Sequence, residues 1–158
     1  NMKQFKQADF YASETEYEFA MDPIPPYWGS YEHPQTGLTP PFAGVTFNLV
    51  DGEQEIFDGI TVVPTPGHSP GHISVAVNTT RGIYYIIGDL MLSRVSLQPD
   101  EKHGWPMTPP GRFANFIDLW RSMEKVVERA DFILMTHDIT QLDTPEYPTE
   151  ADELMEHA

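Results

Sequence analysis

Two histidines four residues apart, His68 and His72, sit in the segment Pro64-Thr65-Pro66-Gly67-His68-Ser69-Pro70-Gly71-His72. Prolines and glycines at that density fix the backbone, and a fixed backbone holds an imidazole in one orientation. Two other positions have the same setting. Gly88-Asp89 and Thr136-His137-Asp138 each close a short apolar run, residues 83–87 and 132–135, and the histidine segment follows residues 60–63 in the same way. Taken singly, each has an ordinary explanation as a core histidine or a turn aspartate. Taken together they form a pattern, because strand ends at one edge of a sheet converge in space. His68, Asp89 and His137 would then bring two imidazole nitrogens and a carboxylate together. That donor set suits zinc, and it also suits iron or manganese. A carboxylate can bridge two metals through its two oxygens, and two metals about 3.5–4 Å apart share a hydroxide and polarise a carbonyl. Three ligands do not complete a two-metal site. Of the other histidines, His33 has no partner motif, and His103 and His157 are isolated in Pro-rich and tail segments.

The elements that must position these residues follow from periodicity and turn chemistry. Ser13-Glu14-Thr15-Glu16 fits a capping box, so a helix begins there and Pro23 stops it, after a short strand over residues 8–12. Residues 22–47 interleave Pro23, Pro25, Pro26, Pro34, Pro40 and Pro41 with Tyr27, Trp28, Tyr31 and Phe42. So many aromatics predict an ordered loop that covers something, either a pocket wall or an interface. Asp51-Gly52 between residues 45–50 and 55–57 predicts a hairpin, and Asp58-Gly59 is a second turn. In residues 73–77, Ile73, Val75 and Val77 alternate with Ser74 and Ala76, as in a half-buried strand. Residues 83–87 read as a buried strand. Residues 93–112 are irregular and Pro-rich. From 113 to 129, Phe116, Leu119, Trp120, Met123, Val126 and Val127 fall on one helical face. Trp28 and Trp105 are candidate walls for a neutral, partly apolar substrate, and packing at the surface is the equal alternative.

Composition narrows the partners. The chain has 158 residues, 40% of them apolar, with 24 acidic against 9 basic side chains and a net charge of −15. A surface of that sign repels phosphate backbones, which argues against nucleic acid as a partner. There is no apolar run long enough to span a membrane, and no charged-then-apolar leader, so a cytoplasmic location is expected. Without cysteine there are neither disulfides nor thiolate ligands. The chain starts at Asn1, not methionine, and runs at once into sequence that reads as domain interior, as expected of a processed or cut chain.

In order and spacing, Thr65-Pro66-Gly67-His68-Ser69-Pro70-Gly71-His72, Gly88-Asp89 and Thr136-His137-Asp138 resemble the second half of the metallo-β-lactamase superfamily. They are most similar to the branch that includes the N-acyl-homoserine lactonases, and the likeness covers most of residues 1–140, including the helix near 11–19. The resemblance implies an α/β fold, the αββα sandwich, with residues 1–142 as its larger C-terminal portion and 143–158 as an acidic peripheral tail. It implies that His68 binds one metal, that Asp89 bridges two at the catalytic centre, and that His137 binds the other. His72 would support the loop or orient His68 without ligating. The implied cofactors are two divalent ions, zinc first, with iron or manganese as alternatives. The implied reaction is attack of metal-held hydroxide on the carbonyl of a small-molecule lactone, ester or amide.

The chain departs from that family in two places. The His-x-His-x-Asp-His motif is absent, which predicts a companion N-terminal chain or segment that carries it. The lactonases place a tyrosine three residues after the bridging aspartate, where this chain has Leu92. Two other functions stay open. One is a thioester hydrolase of the glyoxalase II type, disfavoured by the shortage of Lys and Arg for an anionic substrate. The other is a catalytically inert metal-binding or interaction fragment. Homo-oligomerisation is also left open.

Overall fold

Ser13 sets the start of the first helix: its extended backbone ends one strand, and its Oγ accepts from the Glu16 N–H at 3.3 Å. The computed structural model describes residues 2–143, so His157 and all but the first residue of the acidic tail lie outside the described residues. The chain divides into two compact units, Asn1–Asp51 and Gly52–Ala158. In the first unit, β1 (Phe10–Ser13) leads into α1 (Glu14–Met21), which ends just before Asp22-Pro23. β1 pairs in parallel with β2 (Phe47–Val50), from Phe10 opposite Phe47 to Ser13 opposite Val50. The loop between α1 and β2 is ordered by its own aromatics. Phe19 meets Tyr27 and Tyr31 edge-on at 5.3 and 5.7 Å, Tyr31 Oη donates to Glu16, and Trp28 Nε1 donates to the Pro23 carbonyl. His33 stacks on Trp28 and caps the short turn Pro34–Thr36.

The expected hairpin across Asp51-Gly52 does not form. β2 takes β1 as its partner, and β3 (Gln54–Phe57) pairs instead with β4 (Ile60–Pro64) around Asp58-Gly59. An Asp-Gly step reverses the chain without choosing which strand it pairs with. Here Phe47 gains a contact with Phe10 across the parallel pair and one with Tyr17 of α1 (ring centroids 6.1 and 5.7 Å), and Gly59, at φ +74°, closes the second turn with a register shift in β3.

The second unit is a five-stranded sheet in the order β3-β4-β5-β6-β7, with β5 at Ile73–Thr79, β6 at Gly82–Ile86 and β7 at Phe132–Leu134. The first three pairings are antiparallel and the last, β6 with β7, is parallel. The crossover between β6 and β7 contains α2 (Phe116–Arg129), which lays Leu119, Met123 and Val126 on Val63, Ala76, Tyr85, Ile87 and Ile133. Asn115 starts α2. Its Oδ1 accepts from the N–H groups of Ile117 and Asp118, while its Nδ2 donates to Asp118 Oδ2.

Two strands differ from their expected burial. On β5 the fully covered positions are Ser74 and Ala76, not the branched ones; small side chains admit the helix, and the buried Ser74 hydroxyl pairs with Thr65 Oγ1 at 2.8 Å. Ile73, Val75 and Val77 line the other, partly covered face. β6 is not a continuous buried run: Tyr84 and Tyr85 are buried on opposite faces, and Ile83 and Ile86 are exposed. Val127 of the expected helical stripe is likewise exposed, and Ser122 is buried in its place.

Between β6 and α2 the chain forms a knot at residues 100–105. The Asp100 carbonyl accepts from the N–H groups of Gly104 and Trp105, His103 Nδ1 meets Asp100 Oδ2 at 2.7 Å, and the His103 ring lies on Trp105 at 4.6 Å. The side-chain hydrogen bond from His103 holds the Asp100 carboxyl below its ordinary value of 3.8, against a weaker opposing effect of burial. A depressed carboxyl stabilises the fold above its ordinary pKa and loses that contribution as pH falls through the folded value. The knot is therefore expected to loosen in acid, below about pH 4. The emission change attributable to Trp105, obtained by difference from Trp105→Phe, should show a transition there that His103→Ala moves towards neutral pH. An identical transition in both proteins would remove His103 from the account.

Candidate functional site

Strand direction decides what meets at the sheet edge. β4 and β6 each run antiparallel to β5, and β7 runs parallel to β6, so β4, β6 and β7 all end at the same edge. His68 follows the last residue of β4 by four, Asp89 follows β6 by three and His137 follows β7 by three. The structure brings these three together. His68 Nε2 lies 3.5 Å from Asp89 Oδ2, and His137 Nε2 lies 3.0 Å from Asp89 Oδ1. One carboxylate thus faces two imidazoles, one with each oxygen. Asp89 and His137 are open to solvent and His68 is partly covered.

His72 enters from the same edge, immediately before β5. Its Nδ1 lies 3.0 Å from both the Thr65 carbonyl and Thr65 Oγ1, and its Nε2 accepts the Asp89 backbone N–H at 3.2 Å. Accepting at Nε2 assigns the proton to Nδ1, which donates to Thr65. The imidazole therefore ties the end of β4 to the backbone of Asp89. Gly88 makes the approach available: its φ is +54°, and a Cβ there would stand 2.9 Å from His72 Nε2. Two contributors carried no role in the sequence reading. Thr136 Oγ1 spans the Gly88 carbonyl and Asp89 Oδ1 at 3.0 and 3.3 Å, and Asp138 anchors the turn after His137. Asp138 Oδ1 accepts from the N–H and Oγ1 of Thr140, and Oδ2 faces Arg94 Nε at 3.2 Å. Burial alone would raise the Asp138 carboxyl; the Thr140 hydrogen bonds and the Arg94 charge outweigh it and hold it below 3.8. The only signal for Thr136 and Asp138 was adjacency to a candidate ligand.

The back of the histidine loop is clamped by α2. Ser122 Oγ donates to the Pro66 carbonyl and Lys125 Nζ to that of Pro64, both at 2.8 Å. The Gly67 carbonyl accepts from the N–H groups of Ala114 and Asn115 at the helix entrance. These contacts fix the loop through its backbone carbonyls, and α2 gave no sign of them in its apolar pattern.

The donors agree in kind with a borderline metal, being imidazole nitrogen and carboxylate oxygen. His68 Nδ1 is buried without a hydrogen-bond partner. In number they fall short. An imidazole and a carboxylate oxygen would supply only half of a four-ligand shell, and among the described residues no group of three or more His, Cys, Asp or Glu side chains is placed to hold an ion. Trp105 lines a cavity with Phe116, Ile117, Trp120, Arg121 and Glu124, and none of His68, Asp89 and His137 borders it.

No family model matches the chain. A curated N-acyl homoserine lactonase from Bacillus cereus is 24% identical over 98 residues, which make up 61% of this chain and 38% of that protein. An N-acyl homoserine lactone hydrolase, solved with the product N-hexanoyl-L-homoserine at its catalytic metal centre, superimposes with a TM-score of 0.65 at 20% identity, covering 92% of this chain and 53% of that one. A hydrolase of the β-lactamase superfamily gives 0.59 at 22% identity, covering 85% and 49%. The structural neighbours are N-acyl homoserine lactonases and metallo-β-lactamase superfamily hydrolases, and the mixed α/β fold is theirs. The match is partial and C-terminal-like: this chain spans about half the length of those neighbours.

Proposed function

We propose that this chain carries part of the metal centre of a hydrolase that opens a lactone, or cleaves an ester or amide, of a small neutral substrate. The observation that carries the proposal is the single carboxylate of Asp89 facing His68 with one oxygen and His137 with the other. On this reading His68, Asp89 and His137 would hold the divalent ions, zinc by donor type, with the Asp89 carboxylate lying between the two imidazoles. Bound there, the ions would supply a water acidic enough to attack near neutral pH and polarise the scissile carbonyl. The protein's own part is orientation. His72 holds the Asp89 backbone, Thr136 holds Oδ1, and α2 holds the loop that presents His68. The missing ligands would come from a companion segment, which agrees with the half-length coverage of the neighbours.

A neutral substrate follows from charge, since a surface of net −15 disfavours anions unless a basic patch receives them. The ring-opened product N-hexanoyl-L-homoserine bound to one neighbour makes acylated lactones the first class to test. The protein translated from the intact gene, loaded with zinc, is expected to bind two equivalents of metal and to release acid from an N-acyl homoserine lactone in a pH-stat. Turnover of a glutathione thioester in place of lactones and esters would favour the thioesterase alternative. Failure to retain metal or to turn over any of these substrates would leave the inert-fragment reading.

A further inference from the structure

The cavity along one flank of α2, about 380 Å³ in volume, lies between the helix and the turn that carries Trp105. That is within the size range of small-ligand sites. Its bed is aromatic: Trp105, Phe116 and Trp120 lie 5.9–6.2 Å apart, centroid to centroid, at mutual angles of 41–71°. Rings tilted in this way leave both faces and edges available to a further ring. Both indoles are held in place before any ligand arrives. One face of Trp105 is covered by His103, itself tied to Asp100, and Trp120 Nε1 donates to Glu124 Oε1 at 2.8 Å. Ile117, well exposed, extends the apolar surface.

The rim carries one cation. Arg121 follows Trp120 directly, and among the described residues its guanidinium has no ion pair or hydrogen bond. The acids best spaced to receive it on the helix, Asp118 and Glu124, are committed to Asn115 Nδ2 and Trp120 Nε1. In a chain with 24 acidic and 9 basic residues, an uncommitted arginine beside an aromatic bed is a specific electrostatic feature. We infer that this cavity is a binding site for a small aromatic carboxylate, its ring on Trp105, Phe116 and Trp120 and its carboxylate on Arg121. A guanidinium receives a carboxylate through paired N–H donors. The site does not border the candidate metal ligands, so the inference stands or falls apart from the proposed hydrolase.

The test is an NMR titration of the whole chain, following the three tryptophan indole N–H signals, assigned through Trp28→Phe and Trp105→Phe. The probes are 3-phenylpropionate, its neutral amide, the corresponding amine and hexanoate. The acid is expected to move the Trp105 and Trp120 signals, with a dissociation constant in about the millimolar range for so small a ligand, and to leave Trp28 unmoved. Hexanoate should bind more weakly. Arg121→Gln, at an exposed position, should keep the free spectrum, weaken the acid about tenfold and leave the amide unchanged. Amide binding as tight as acid binding, tighter binding of the amine, equal movement of Trp28, or no movement at all would each overturn the assignment.

Discussion

Gly67→Ala is expected to destabilise the second unit by about 3–5 kcal/mol, enough to unfold a large share of a marginally stable domain. Two independent penalties combine. The backbone at Gly67 has φ +137°, a conformation that L side chains rarely adopt, and a Cβ built there would lie 2.3 Å from both the Cα and the N of Leu119. Those are backbone atoms of α2, held by the helix hydrogen bonds and by the fully buried Leu119 side chain, so no rotamer change relieves the clash. The loop cannot withdraw either, because the Gly67 carbonyl receives the Ala114 and Asn115 N–H groups at 2.7 and 3.0 Å. Gly104→Ala is the control. It shares a positive φ of +69° but has nothing within 4 Å of the added carbon, so it should cost only about 1 kcal/mol of backbone strain. Urea denaturation followed by circular dichroism measures both. Equal midpoints for the two variants would show that the histidine loop and α2 yield to an added methyl at Gly67, against the close contact proposed to hold them.

The same contact shows where sequence reading reaches its limit. Convergence of His68, Asp89 and His137 was legible because it needs only three apolar runs, each closed by a polar residue, and a sheet that aligns three of its strand ends. Local turn residues and donor types carry that information. Pairing partners are not local. Asp51-Gly52 and Asp58-Gly59 have the same turn chemistry, yet only the second closes a hairpin, because β2 is claimed by Phe10 and its neighbours 37 residues upstream. Strand alternation also misleads where a helix packs closely: β5 buries Ser74 and Ala76 because the larger residues would hold α2 away. Polar clamps such as Ser122 and Lys125 read as ordinary helix residues, since their acceptors are backbone carbonyls 56 and 61 positions away and carbonyls leave no mark in the sequence. Trp105 was legible as a pocket residue, but the cavity it lines lies along α2, away from the metal-ligand candidates.

On the proposed assignment, Asp89→Ala is expected to weaken zinc binding at least about a hundredfold while changing the stability of the metal-free protein by less than about 1 kcal/mol. The reason lies in how Asp89 is held. Its side chain is open to solvent and faces two imidazoles, whereas the contact that organises the edge runs through its backbone N–H to His72. Truncation deletes the carboxylate between the two imidazoles and leaves that backbone contact in place. Thr136 loses Oδ1 but retains the Gly88 carbonyl. His72→Ala should show the opposite balance. It strips a partly buried acceptor from the Asp89 N–H and a donor from Thr65, a loss of about 1–3 kcal/mol, and it weakens zinc only by about ten- to a hundredfold through misplacement of Asp89. Competition against a chromophoric chelator gives the metal affinity, and denaturation of the metal-free chain gives the stability. A ligand loses metal more than fold, and a support loses fold more than metal. If Asp89→Ala left zinc affinity unchanged, or if His72→Ala abolished it without cost to stability, the roles of the two residues would have to be exchanged.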